Sequence, residues 1–420
     1  MTFPTLTRAA GALTLCAGLA APAAQADTWS FDQKLTAPDG ASFDQFGFSV
    51  ALSGGTALVG ARLDDDNGTD SGSAYLFDTA TGAQMQKLTA TDGAANDQFG
   101  RSVALSGGTA LVGAISGSAY LFDTATGAQL QKLTATDGAA FDEFGGSVAL
   151  SGDTALVGAG RDDDNGVVSG SAYLFDTGTG AQLQKLTATD GAEFDQFGFS
   201  VALSGGTALV GAFGDDDNGT TSGSAYLFDT ATGAQLQKLT APDGAANDQF
   251  GGSVALSGGT ALVGARSDDD NGTNSGSAYL FDTVTGALLH KLTAPDGAAN
   301  DLFGGSVALS GGTALVGALD DDDNGTSSGS AYLFDVATGD FIQKLTAPDG
   351  AANDFFGFSV ALSGSTALVG ALDDDDNGTS SGSAYVFTHD PTPIPVPLPA
   401  ALLASGLGLL ALQRRRRPAA

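Results

Sequence analysis

Acidic residues in short, regular loops are the feature of this chain best suited to chemistry. Six runs end in Asn-Gly: Asp64 to Gly68, Asp162 to Gly166, Asp215 to Gly219, Asp268 to Gly272, Asp320 to Gly325 and Asp373 to Gly378. A second acidic set precedes each recurring Phe-Gly, as with Asp39 and Asp44, then Asp92 and Asp97. Calcium takes about six to eight oxygen ligands, which closely spaced carboxylates and amide oxygens supply. The spacing D-x-D-x-[DN]-G occurs only in the last two loops. There Asp320, Asp322 and Asn324 precede Gly325, and Asp373, Asp375 and Asn377 precede Gly378. In the other loops the first position is Leu63, Arg161, Gly214 or Ser267. Ala331 and Ala384 stand where an EF-hand carries glutamate, so no EF-hand is present. Two readings stand side by side: calcium on these six residues, or solvated acidic loops closed by Asn-Gly turns.

Catalysis finds little support. The chain has two histidines. His290 takes a position that is glutamine in most repeats, and His389 lies in a linker. There is no serine–histidine pairing, phosphate loop or zinc motif, and carboxylate pairs are too common to single one out. The expectation is a protein that is not an enzyme. The single cysteine, Cys16, falls in a signal-type segment, so the mature chain has neither disulfide nor thiolate site. Leu15 before it argues against lipidation.

Charge sharpens this. Lys+Arg number 16 against 48 Asp+Glu. Between Asp27 and Thr388 stand eleven of the basic residues and forty-seven of the acidic ones, a net of −36. Such a surface repels nucleic acid and anionic lipid, and favours cations or cationic partners.

The positioning elements come from internal repetition. Lys-Leu-Thr-Ala begins at Lys34, Lys87, Lys132, Lys185, Lys238, Lys291 and Lys344, with a spacing of 53 broken once by 45. The short second unit lacks the acidic loop: Gly113-Ala114 runs through Ile115-Ser116 into Gly117-Ser118. In the first unit, Phe46 to Leu52, Ala57 to Ala61, Ser73 to Phe77 and Lys87 to Ala90 have strand character, and Ser53-Gly54-Gly55-Thr56 is a hairpin turn. No helical period appears. The spacing predicts an all-β, seven-bladed β-propeller of four-stranded antiparallel blades. Each blade takes its fourth strand from the next unit, and the N-terminal strand at Lys34 pairs with the last blade to close the ring. Trp29 and Phe31 are expected to anchor that seam. The repeated lysine is expected on an exposed outer edge, where it discourages pairing with other chains. Alternating strand direction puts both sets of acidic loops on one face.

Phe-Gly recurs at Phe46-Gly47, Phe99-Gly100, Phe144-Gly145, Phe197-Gly198, Phe250-Gly251, Phe303-Gly304 and Phe356-Gly357, followed about 13 residues later by Gly-Ala, as at Gly60-Ala61. This order of motifs resembles the FG-GAP repeat of integrin α-chain propellers and many bacterial surface proteins. Two departures stand out. The proline of Gly-Ala-Pro is absent, and the family's calcium loop between the first two strands is replaced by Ser-Gly-Gly-Thr. The family's calcium ligands therefore do not carry over.

The two ends read as addresses. Residues 1–26 form a signal peptide, with Arg8, an apolar run, and cleavage after Ala24-Gln25-Ala26. Residues 27–388 hold the propeller and 389–395 a proline-rich linker. Residues 396–420 carry Val396, Pro397, Leu398, Pro399 and Ala400, an apolar stretch through Leu412 and Arg414 to Arg417. From Leu398 to Leu412 a helix spans about 22 Å, short of the roughly 30 Å hydrocarbon core. This tail resembles the PEP-CTERM class of sorting signals in its VPLPA form. The resemblance implies a Gram-negative host, transient anchoring in the inner membrane, processing by an exosortase-type enzyme, and delivery to the surface or matrix. The expected role is adhesion or binding through the acidic face to an extracellular protein or polysaccharide. The alternatives are a glycan-binding or glycan-processing module and a calcium-stabilised spacer.

Overall fold

The computed structural model describes residues 28–390. The cleavage residues Ala24 and Ala26, and the tail with Val396, Pro397, Leu398, Pro399 and Ala400, lie outside the described residues. Among the described residues, no helix is long and apolar enough to cross a membrane.

Seven separate four-stranded sheets make the molecule. The first runs through Phe46–Ser53, Thr56–Ala61, Ser73–Asp78 and Gln84–Leu88, antiparallel throughout. Gly54 turns its first hairpin with a φ of +57°, a conformation that costs glycine nothing. The fourth strand stops at Leu88, so Thr89 and Ala90, expected within it, already belong to the crossover. That crossover delivers the chain to the next blade's inner strand.

Five of the seven inner strands carry a bulge at a fixed place, and in the other two the ladder begins only after the Phe-Gly, at Ser102 and Ser200. Phe46 pairs with Ala61 and the next pair is Ser49 with Gly60, which leaves Gly47 and Phe48 outside the ladder. The residue after Phe-Gly is thus aimed away from the sheet.

The motif glycines are required by contact between blades. A Cβ on Gly60 would sit 2.0 Å from the carbonyl oxygen of Gly100 in the next blade. Ser49 Oγ donates to that same oxygen at 2.7 Å. Across the seam Gly370 meets Gly47 in the same way, and Ser359 Oγ donates to Gly47 O at 2.7 Å. Phe-Gly of one blade and Gly-Ala of its neighbour therefore form one joint.

Apolar cores lie between neighbouring sheets. Phe46, Val59, Tyr75 and Phe77 of the first blade pack with Leu368 and Val386 of the last. Phe46 meets Tyr75 and Phe77 edge-on at 5.5 and 5.8 Å, an arrangement repeated in every blade with little change.

Ring closure follows the expectation. The last sheet is ordered Thr28–Leu35, Ser383–Asp390, Thr366–Ala371, Phe356–Ser363. Trp29 is 6% exposed. Gln343 clamps its backbone, accepting from Trp29 N at 2.9 Å and donating to Trp29 O at 2.7 Å. Phe31 differs from its expected part: it is 43% exposed and meets Phe387 edge-on at 5.9 Å. It also lies 6.3 Å from the Tyr385 ring, so it packs on the surface of the last blade rather than inside the seam.

Candidate functional site

The repeated lysines are the first departure from the sequence expectation. They do not stand free on an outer edge. Lys87 lies under two acidic loops of its blade and pairs with Asp39 at 2.8 Å, Asp64 at 3.2 Å and Asp66 at 2.6 Å. The same pattern joins Lys238 to Asp190, Asp215 and Asp217, Lys344 to Asp296, Asp321 and Asp323, and Lys34 to Asp349, Asp374 and Asp376. One carboxylate of each set is buried, and the tyrosine beneath donates to it, as Tyr75 Oη does to Asp64 Oδ2 at 2.9 Å. Since each of these lysines except Lys132, whose blade lacks one loop, reaches both acidic loops, both sets do share one face.

The charge states follow. Burial alone would lower the Lys87 ammonium, but Asp39, Asp66 and Asp64 together raise it above the ordinary lysine value. Burial would raise Asp39, yet Lys87 holds it below the usual carboxylate range. Burial and the Asp64 carboxylate push the Tyr75 phenol up. A different carboxylate, Asp44, is pushed up to about 6 by burial and by Asp64 and Asp65. Asp195 and Asp354 repeat this in their blades, each raised to about 6.

Two of these clusters, Asp190 with Asp215 and Asp217, and Asp349 with Asp374 and Asp376, bring three carboxylates within reach of a single cation. Lys238 and Lys34 already put an ammonium there. Calcium with its six to eight or so oxygens does not fit while the lysine stays.

The six residues chosen by spacing fall elsewhere in the loops. Asp322 Oδ1 accepts Ser327 N at 2.8 Å and Asp375 Oδ1 accepts Ser380 N at 2.8 Å. Asp373 accepts from Gln45 Nε2 at 3.4 Å, and Asp320 is raised mainly by burial. The backbone amides of Asn324 and Asn377 donate to Ser328 Oγ and Ser381 Oγ at 3.0 Å. Asn377 Nδ2 also donates to Ala37 O at 3.1 Å. These contacts shape the loop. The carboxylates that converge are the alternate ones, Asp321 with Asp323 and Asp374 with Asp376.

Sequence reasoning missed a second arrangement on the same face. The residue after Phe-Gly and the residue after Gly-Ala ring the mouth of the central channel, and they change from blade to blade. Phe48, Arg101, Phe199 and Phe358 help line a cavity of about 330 Å³ there. Arg62 lies over the Phe48 ring at 4.0 Å, and Phe358 meets that ring at 5.0 Å. Phe213, Arg266 and Leu319 continue the rim beside Phe199. Aligning the units on Phe-Gly would have gathered these scattered residues.

Seven sheets closed by their own first strand, with motif glycines at every joint, define a repeat propeller. The FG-GAP repeat matches residues 29–77, 83–122, 128–175, 181–228, 234–281, 288–334 and 340–387. The chain belongs to the FG-GAP repeat family. No curated protein matches it.

Proposed function

We propose that this chain is an exported, non-enzymatic binding protein of the cell surface or matrix, acting through the acidic-loop face of its propeller. The observation that carries this is the placement of the largest differences between near-identical blades. The position after Phe-Gly is Phe48, Arg101, Gly146, Phe199, Gly252, Gly305 and Phe358 in turn. A scaffold needs equivalent blades, whereas recognition needs a surface that differs around the ring. Export rests on the signal-type and sorting-type ends of the sequence, and processing by an exosortase-type enzyme belongs to the same proposal. In this reading the lysines carry the cationic role within each blade, so the scaffold works without calcium.

The test is retention of surface material on the immobilised propeller, whose ring closes within residues 28–390. Retention of a defined protein or polysaccharide supports the proposal. Release of that material on exchanging Arg101 for the Gly of other blades locates it on this face. No retention from any surface extract overturns it.

A further inference from the structure

The propeller has four arginines, Arg62, Arg101, Arg161 and Arg266, and all four stand at the channel mouth or the notch beside it. In a region with a net charge of −36, arginine would be expected to find carboxylates easily. Among the described residues, only Arg161 does, pairing with Glu143 at 3.1 Å. Among the described residues, no carboxylate lies within ion-pair distance of Arg62, Arg101 or Arg266. The partners of two of them are neutral: Gln45 Oε1 accepts from Arg62 Nε at 2.8 Å and Gln249 Oε1 from Arg266 Nε at 2.7 Å. That leaves the outer edge of each guanidinium fork for a carboxylate. Arg62 and Arg101 also share one ring, at 4.0 and 6.0 Å from the centroid of Phe48. Asp373 and Asp70 act on Arg62 only from beyond ion-pair distance, Asp373 through the shared Gln45, so neither arginine is directly paired and a ligand carboxylate could bridge the two.

Exposed aromatic rings stand on the loop that enters the inner strand in three blades, and one of them, Phe141, shares a notch with Arg161. Phe43, Phe141 and Phe194 have φ of 75°, 77° and 70°, a left-handed conformation that strains a bulky residue. Other blades place Asn96, Asn247, Asn300 or Asn353 there, which tolerate it. The strain does not serve burial, since Phe141 is 89% exposed. Strained and exposed aromatics point to contact with a ligand. Phe141 borders a notch of about 310 Å³ with Ile115, Ser116 and Arg161, left where the second unit lacks its acidic loop. Glu143 lines both the notch and the channel mouth, so the two adjoin.

We propose that the mouth and notch together bind an oligosaccharide carrying uronic-acid carboxylates. This rests on the binding reading above and names its ligand class. Flat aromatic faces receive the C–H faces of sugar rings, and arginine forks receive carboxylates set one to a ring. Duplex nucleic acid, with one phosphate per about 1.7 Å, is repelled by the surrounding acidic surface more strongly than carboxylates set one to a sugar ring. An added peptide strand would need free edge amides. Inner-edge amides such as those of Val201 and Val307 are capped by Ser147 and Ser253 of neighbouring blades, both at 3.1 Å.

Titration calorimetry with short oligogalacturonate and oligoglucuronate, each against its carboxyl-reduced neutral form, tests this. Binding of at least one acidic form, about tenfold or more tighter than its neutral form, is the expected result. Arg101→Gly and Phe141→Asn install residues that other blades already carry, so they preserve the fold. Each should weaken binding by about tenfold, while Val284→Ala on the opposite face leaves it unchanged. Equal affinity for acidic and neutral forms, no binding of either uronate, or full binding by both mouth variants overturns the proposal. So does an acidic peptide binding in place of the sugars. If surface material is retained yet neither uronate binds, the ligand class falls and the binding role stands.

Discussion

Gly60 and Gly100, in adjacent blades, approach until a methyl group on the first would lie 2.0 Å from the carbonyl oxygen of the second. The contact is backbone against backbone, so no side chain can swing aside. Gly60→Ala should therefore force the two blades apart and destabilise the propeller by about 1–3 kcal/mol. Gly55→Ala makes a control, because only Thr79 Oγ1 at 3.9 Å lies near the added carbon. Urea denaturation of the two variants against the parent measures the difference.

The seam predicts a larger effect. Removing residues 28–37 takes away the outer strand of the last blade and the buried Trp29. The melting temperature should fall sharply and the exposed strand edge should promote association. Calorimetry with sizing chromatography checks both, and an unchanged melting point would count against closure by this strand.

The lysine clusters give a graded prediction. Lys238→Met leaves the buried Asp215 without its cation and should cost about 3–5 kcal/mol. Lys132, in the blade without an acidic loop, pairs only with Asp92, and its side chain is 39% exposed. Lys132→Met should cost no more than about 1 kcal/mol. Adding Asp215→Asn to the Lys238 variant should recover part of the loss. A chelator should leave the parent's melting curve in place.

Acidity acts in two directions. Asp44, Asp195 and Asp354 are raised to about 6 in the folded protein, above the unfolded value of 3.8. Their contribution is fully present below the unfolded value and is lost as pH rises through about 6, so stability should increase on going from neutral pH toward about pH 5. Asp39, Asp296 and Asp349 are lowered, burial opposing and lysine prevailing. Their contribution is present above 3.8 and lost as pH falls below it. A melting temperature that peaks on the acid side, then collapses below about pH 4, is expected from a pH series.

The ring was legible because its determinants are local and repeated. Phe-Gly, Gly-Ala and the hairpin glycines recur at fixed spacing, and the unmatched Lys34 segment announced its partner. The cation chemistry was legible only as composition. Matching a known spacing selected Asp320 and Asp322, although the pair two apart that recurs in every acidic loop is the one now in Asp321 and Asp323. That recurring pair and the recurring lysine together carried the information. The loop folds Asp321 inward by accepting Asp323 N at 3.1 Å, a turn that no ligand motif describes. The arginines were hidden for another reason: residues 62, 101, 161 and 266 have no relation until the ring curls them together.

The clamp between Gln343 and Trp29 has a consequence for how the chain is built. Synthesis makes the first strand at the outset, and its proper neighbour, Ser383–Asp390, only at the end. In the interval every completed blade edge looks much like the correct one. Tryptophan occurs once in the whole chain, and it sits in this strand. Its ring stacks on His389 at 5.3 Å, a histidine that follows only the last blade, so this strand makes with its own neighbour a contact that the other blade edges do not offer.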